Sequence, residues 1–247
     1  MDSYKEMAFV YDRLMNDINY EQWWLYYKQL FNKFNITPLQ VIDIACGTGN
    51  MTIFFSKCGL SVLGIDFSED MLMVAKEKAR RQGLKIEFIC QDMRHLLLHR
   101  SVNLFTCCCD GINYLTNLDD VKECFLSVYK FLNNGGFFLF DISSFEKIKS
   151  IIGCNFFGED YDDLTYLWQN EYDEGMQLCT MDLTFFIKGA GSLYRKFKEV
   201  HYQRAHKTEE IIYILEQTGF VVLGLFEHMT LQSPNEHSSR IQFICKK

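Results

Sequence analysis

The segment Val41-Ile42-Asp43-Ile44-Ala45-Cys46-Gly47-Thr48-Gly49-Asn50 constrains this chain more than any other. An apolar run carrying one carboxylate leads into a glycine-rich turn, and a helix is predicted to start near Met51. Glycines at such a turn let backbone N–H groups approach a ligand closely at a helix N-terminus. Two further apolar runs follow and each ends in an acid: Val62-Leu63-Gly64-Ile65-Asp66 and Ile86-Glu87-Phe88-Ile89-Cys90-Gln91-Asp92. Successive strands that deliver acids to one end describe a polar pocket beyond the carboxyl ends of a parallel sheet.

The surrounding pattern supports that sheet. Strands are predicted near 40–45, 61–66, 85–90, 102–109 and 136–141, with amphipathic segments between them. Ser68 with Glu69 and Asp70 reads as a helix start whose apolar face is Met71, Leu72, Ala75 and Ala79. Strict strand–helix alternation implies a doubly wound, mostly parallel α/β sheet. After residue 145 the period changes to two. Thr165–Tyr172, Leu178–Ile187 and Leu193–Tyr202 read as an antiparallel meander with turns at Asp173-Glu174-Gly175 and Gly189-Ala190-Gly191. The α/β pattern then resumes with a helix from Thr208 to Gly219 and strands near 220–227 and 239–245. The run Glu159–Asp163 reads as a solvated acidic loop.

The totals exclude several classes. With 247 residues, 48% of them apolar, a sizeable core is expected and disorder is not. A formal charge of −7 argues against nucleic acid as the main partner. No apolar run approaches the ~20 residues that span a bilayer. The N-terminus lacks a signal-peptide layout, so no membrane association and a cytoplasmic location are expected. Ten cysteines occur without any Cys-x-x-Cys pair. Cys107-Cys108-Cys109 on a strand would alternate between faces and could not converge on one metal, so reduced core thiols are expected.

With these motifs in order, the chain resembles the class I S-adenosylmethionine-dependent methyltransferases over most of residues 4–141 and, more weakly, the closing segments. The resemblance implies a seven-stranded Rossmann-like sheet with an inserted antiparallel β lid, and S-adenosyl-L-methionine as cofactor. It places the turn Asp43-x-Ala45-Cys46-Gly47-Thr48-Gly49 around the methionine part, with Asp43 reaching toward its ammonium group. Ala45 stands where many members have glycine. Asp66, an acceptor-only carboxylate, suits two ribose hydroxyls. Gln91, Asp92 and the backbone of Met93 suit the adenine edge, and Met71 suits its face. A dinucleotide fingerprint would need Gly-x-Gly-x-x-Gly, whereas this register reads Ala45-x-Gly47-x-x-Asn50. A plainer alternative is that each Asp merely caps a strand or helix.

The N-terminal segment Tyr4-x-x-x-x-Phe9-x-Tyr11-Asp12-x-Leu14-Met15 resembles the opening of bacterial small-molecule methyltransferases similar to the amino-sugar N-methyltransferases. There it folds over the cofactor, with Tyr4 and Tyr11 at matching positions; aromatics at helical spacing are equally read as core. The expected organisation is a helical lid over 1–35, a cofactor-binding core over 36–145, an inserted β lid over 146–207 and closing elements over 208–247. Candidate bases are Tyr114, His201 and Asp110. Glu199 and His201 should share one strand face, with a solvent-facing edge as the favoured alternative. Asp110 and Asp141 could imitate a Mg²⁺ pair, but no accompanying Asp-Asn pair appears and no metal is expected. The acceptor is expected to be a small molecule methylated at nitrogen in preference to oxygen. A tRNA or protein methyltransferase and a non-catalytic S-adenosylmethionine-binding protein remain the other readings. The exposed edges of the inserted sheet leave a homodimer open.

Overall fold

The computed structural model describes residue 4 and residues 6–16, 18–38 and 40–247. Its larger sheet has seven strands: β1 (Gln40–Ile44), β2 (Ser61–Asp66), β3 (Glu87–Cys90), β4 (Val102–Cys107), β5 (Leu132–Ser143), β10 (Val221–Glu227) and β11 (Arg240–Lys246). Their order across the sheet is β10-β11-β5-β4-β1-β2-β3, parallel from β5 to β3, while β11 runs antiparallel to both its neighbours. The direction of winding reverses between β1 and β4. Connecting helices leave there on opposite sides, which opens a crevice at the carboxyl ends of the strands.

Both faces of the sheet are covered. Alternation sends Phe105, Phe138, Phe140 and Phe243 to one face, where α5 (Leu118–Phe131) and α6 (Thr208–Gln217) pack. Val41, Leu104, Leu139 and Ile244 point to the other face. It is covered by α2 (Tyr20–Phe34) and α3 (Asn50–Lys57) through Tyr27, Leu30, Phe31 and Phe55. Residues 20–34 are therefore a core helix, distinct from the part of the N-terminal region that precedes it. That part is a 3-10 turn, Glu6–Phe9, followed by the short α1 (Tyr11–Leu14). The helix starts are written locally. Asn19, Ser68 and Asn117 accept hydrogen bonds from the backbone N–H of Gln22, Met71 and Asp120 at the heads of α2, α4 (Glu69–Arg81) and α5.

The second sheet has four antiparallel strands in the order β6 (Phe156–Asp160), β7 (Leu164–Asp173), β8 (Leu178–Lys188) and β9 (Tyr194–Arg204). A π-helical turn, Lys147–Ile152, leads into it from β5. The first of these strands departs from the sequence reading, since Glu159 and Asp160 lie in β6 rather than in a loop. Only Tyr161–Asp163 turn toward β7, and Asp163 pairs with Arg13 at 2.6 Å. The inner face of β7, β8 and β9 packs Leu164, Leu183, Phe185 and Phe197 against Met7, Val10 and the π-helical turn. Strand β4 also stops earlier than expected. It ends at Cys107, and Cys109 and Asp110 adopt left-handed conformations with φ of 61° and 55°. Among the described residues, no helix is long and apolar enough to cross a membrane.

Two buried histidines give the fold a pH signature. Burial pushes His206 and His228 down to about 4. Both are neutral when folded, so the stability they carry is complete above the ordinary histidine value. It is lost as pH falls from about 6.5 toward 4, because the unfolded chain binds the protons first. Asp43, pushed up by burial to about 6, acts in the opposite direction over that range. Urea denaturation of His206→Gln/His228→Gln across this window should show a smaller loss of stability on acidification than the unsubstituted chain. An identical pH dependence would contradict the assignment.

Candidate functional site

A cavity of about 250 Å³ occupies the crevice between β1 and β4. Its floor is the turn after β1. Ala45 and Gly47 are left-handed (φ 51° and 55°), and Gly49 (φ 75°) heads α3. A Cβ on Gly49 would meet the Phe88 ring at 3.0 Å, so the turn needs glycine there for space as well as for conformation. Ala45 holds a left-handed backbone without being glycine, a strained arrangement at the cavity wall. Asp43 also lines the cavity. Its two oxygens accept from Thr52 Oγ1 at 2.6 Å and Thr106 Oγ1 at 2.7 Å, and it is almost wholly buried.

Asp66, at the end of β2, accepts from Gly47 N at 2.7 Å and Ser68 N at 2.9 Å. The Phe67 backbone N–H also acts on it, and Asp66 lines the cavity. Burial raises its pKa despite these donors. Met71, Gln91, Asp92 and Met93 line the same cavity. The Gln91 side chain is engaged with the backbone of Leu97, through Nε2 at 3.1 Å and Oε1 at 2.9 Å. Asp92 departs from a free acceptor, because Arg94 Nε lies 2.9–3.0 Å from both its oxygens. Burial acts to raise Asp92, but Arg94 outweighs it and holds the carboxyl below the usual range. Arg94 also lies 3.0 Å from Asp120, which joins this wall to the head of α5.

Tyr4 and Tyr11 both line the cavity, their rings edge to face at 5.8 Å. Tyr114, on the turn after β4, lines it too, and its hydroxyl meets that of Tyr4. Burial pushes all three phenols well up. The other two candidate bases lie elsewhere. Asp110 is 2.7 Å from Arg240 Nη2 and accepts from Gln203 Nε2 at 2.9 Å. Burial acts to raise it, but Arg240 and Lys147 hold it below the carboxylate range. Arg240 also binds Asp141, so the pair read as a possible Mg²⁺ site already holds a guanidinium between its members. His201 is not on the cavity wall. It is buried behind Tyr4, with ring centroids 4.5 Å apart and Nε2 3.3 Å from Glu199. Glu199 and His201 do share one face of β9, and that face is buried, contrary to the solvent-facing edge favoured from sequence.

One network was missed. Asp12 on α1 accepts from Thr48 Oγ1 at 2.6 Å and Asn50 Nδ2 at 2.9 Å, and Lys78 Nζ lies 2.6 Å from its other oxygen. It ties the N-terminal segment to the glycine turn and to α4. Lys78 reads in sequence as one charge among several on a helix, and its contacts with Asp12, Thr48 and Asn50 distinguish it. The cavity fits the S-adenosylmethionine that the sequence resemblance implies. It offers backbone at a helix head, a buried carboxylate at the end of β2, and apolar side chains from Met71 and Met93.

Comparison with known proteins agrees with this geometry. The family described as "Methyltransferase domain" matches residues 41–136. The chain is 33% identical over 245 residues to the "Putative methyltransferase YqeM" of Bacillus subtilis (strain 168), covering 99% of this chain and 97% of that one. It is 31% identical over 246 residues to a protein of the same description from Geobacillus sp. (strain WCH70), covering 99% and 100%. A crystal structure of an S-adenosylmethionine-dependent methyltransferase from Clostridium acetobutylicum ATCC 824 superposes with a TM-score of 0.88 at 33% identity, covering 98% and 97%. The sugar N-methyltransferase KedS8 from Streptoalloteichus sp ATCC 53650 shares the fold, with a TM-score of 0.77 at 15% identity over 99% and 94%.

Asp66→Ala should weaken S-adenosylhomocysteine binding at least ~10-fold, since each hydrogen bond to a charged acceptor is worth about 1.5–3 kcal/mol. Calorimetric titration measures this. Unchanged affinity in a folded variant would remove Asp66 from the cofactor site.

Proposed function

Because the chain belongs to the S-adenosylmethionine-dependent methyltransferases, we propose that it methylates a small molecule, at nitrogen in preference to oxygen. The observation that carries the choice of atom is the absence of an available base among the described residues of the cavity wall beyond β4. Tyr4, Tyr11 and Tyr114 are phenols kept protonated by burial. Cys109 is a thiol that burial likewise pushes up, Asp120 is paired with Arg94, and Asp110, behind the wall, is held by Arg240 and Gln203.

Bound S-adenosylmethionine supplies a sulfonium-activated methyl group, open to in-line displacement by an acceptor lone pair. A neutral amine brings that lone pair with it, whereas an alcohol requires a base to take its proton as it reacts. Neutral phenol oxygens can accept hydrogen bonds from an amine's N–H groups and so orient it. Alignment of this kind is worth about 7–11 kcal/mol when the reacting atoms are held near contact distance. The small-molecule reading rests on the cover. The N-terminal segment, whose Tyr4 and Tyr11 line the cavity, packs against the inner face of the second sheet through Met7, Val10, Phe185 and Phe197. The fold shared with a sugar N-methyltransferase is consistent with it.

A turnover assay that follows S-adenosylhomocysteine with panels of amines and alcohols tests this reading. Amines should turn over, with a rate that rises with pH through the acceptor's own pKa. Tyr114→Phe should lose no more than about tenfold, because the hydroxyl makes only neutral hydrogen bonds. Methylation of alcohols alone would overturn the choice of nitrogen. Label entering only tRNA or protein would overturn the small-molecule acceptor, and binding without turnover on any extract would make the chain a non-catalytic binder.

A further inference from the structure

We propose that Glu199 is a positioning residue that holds Tyr4 in place at the cofactor cavity, and so strengthens the binding of cofactor and product. Glu199 lies in the middle of β9 on its buried face. Its Oε2 accepts from Tyr4 N at 2.7 Å and its Oε1 from Met7 N at 2.8 Å. These two donors lie at the head of the turn Glu6–Phe9, so the carboxylate serves that turn as an N-terminal cap supplied from the far end of the chain. Both oxygens are engaged, and His201 Nε2 stands 3.3 Å from one of them.

Tyr4 needs such a grip. Its φ of 64° is a left-handed conformation that a non-glycine residue leaves unless its surroundings hold it. It is held at three points. Glu199 takes its N–H, Ser68 Oγ donates to its carbonyl at 2.9 Å, and its hydroxyl meets that of Tyr114. Two of those partners belong to the cavity wall, since Ser68 and Tyr114 both line it. Glu199 is the only charged partner of the three and the only one that belongs to the second sheet. The exposed pair Arg13–Asp163 ties the same segment at 2.6 Å, but ion pairs open to solvent hold weakly. Glu199 therefore links the second sheet to an aromatic side chain that lines the cavity and meets Tyr114 on the turn after β4.

Glu199→Gln is the informative substitution. It keeps the shape but presents an amide NH₂ to one of two N–H donors, so one grip is lost and a donor–donor clash replaces it. Calorimetry with S-adenosylhomocysteine on the unsubstituted chain, Glu199→Gln, Tyr4→Ala and the double variant should show about a tenfold weakening for each single change. The double variant should be no weaker than the worse single one, because Glu199 acts through Tyr4. Unchanged affinity in Glu199→Gln, or effects that simply add in the double variant, would overturn the proposal. Amide exchange on the unsubstituted chain reads the same contact without depending on a variant's folding. The Tyr4 and Met7 amides should exchange slowly, and more slowly with S-adenosylhomocysteine bound. Exchange at the rate of an open chain with ligand present would overturn it. The readouts need no acceptor, so they stand apart from the choice of substrate.

Discussion

A carboxylate buried at the end of a strand must find donors, and the way Asp66 finds them organises the site. One oxygen takes Gly47 N and so holds the glycine turn against β2; the other takes Ser68 N and so sets the head of α4. Ser68 in turn caps Met71 N at 3.2 Å and donates to the Tyr4 carbonyl. One unbroken series of hydrogen bonds thus runs from the glycine turn through Asp66 and Ser68 to Tyr4, and on to Glu199 in the second sheet. The floor, the side wall and the cover of the cavity are registered against one another by it.

Acids of the same type are put to different uses by their partners. Burial dominates at Asp43 and Asp66, which have hydroxyl or backbone donors but no cation in contact. Arginine dominates at Asp92 and Asp110, where it outweighs the same burial. A carboxyl pinned by guanidinium is a poor proton acceptor, and the phenols beside it are held protonated. The chemistry left to the chain is orientation, which suits a methyl donor already activated for transfer.

The second sheet contributes through three inward polar residues of β9. Glu199 addresses the N-terminal segment, His201 packs its ring against Tyr4, and Gln203 donates to Asp110 on the turn after β4. Spaced two apart on one strand face, they meet both the N-terminal segment and the turn after β4. Residues that would form a polar edge on a free hairpin are here the means by which a roof is fastened down.

The strand–turn–helix pattern from Val41 to Met51, the acids at the ends of β2 and β3, and the switch to period two after residue 145 are local features. A local pattern is legible because backbone propensity and side-chain alternation act over a few residues. The strand–helix alternation and the glycine turn were therefore readable in the chain, and the seven-stranded sheet and the cofactor followed from the family resemblance they carry. What each polar group would face was not. Asp92 and Asp110 look equally free in sequence, yet each meets an arginine, Asp92 within two residues and Asp110 from β11. Asp12 and Lys78 are unremarkable charges until α1 and α4 lie together over the turn. Glu199 and Tyr4 are separated by 195 residues and meet only because the second sheet folds back over the first. Which carboxylate binds, which is neutralised and which fastens the cover depends on partners distant in the chain, and only the tertiary structure decides it, because desolvation and charge pairing are set by neighbours in space.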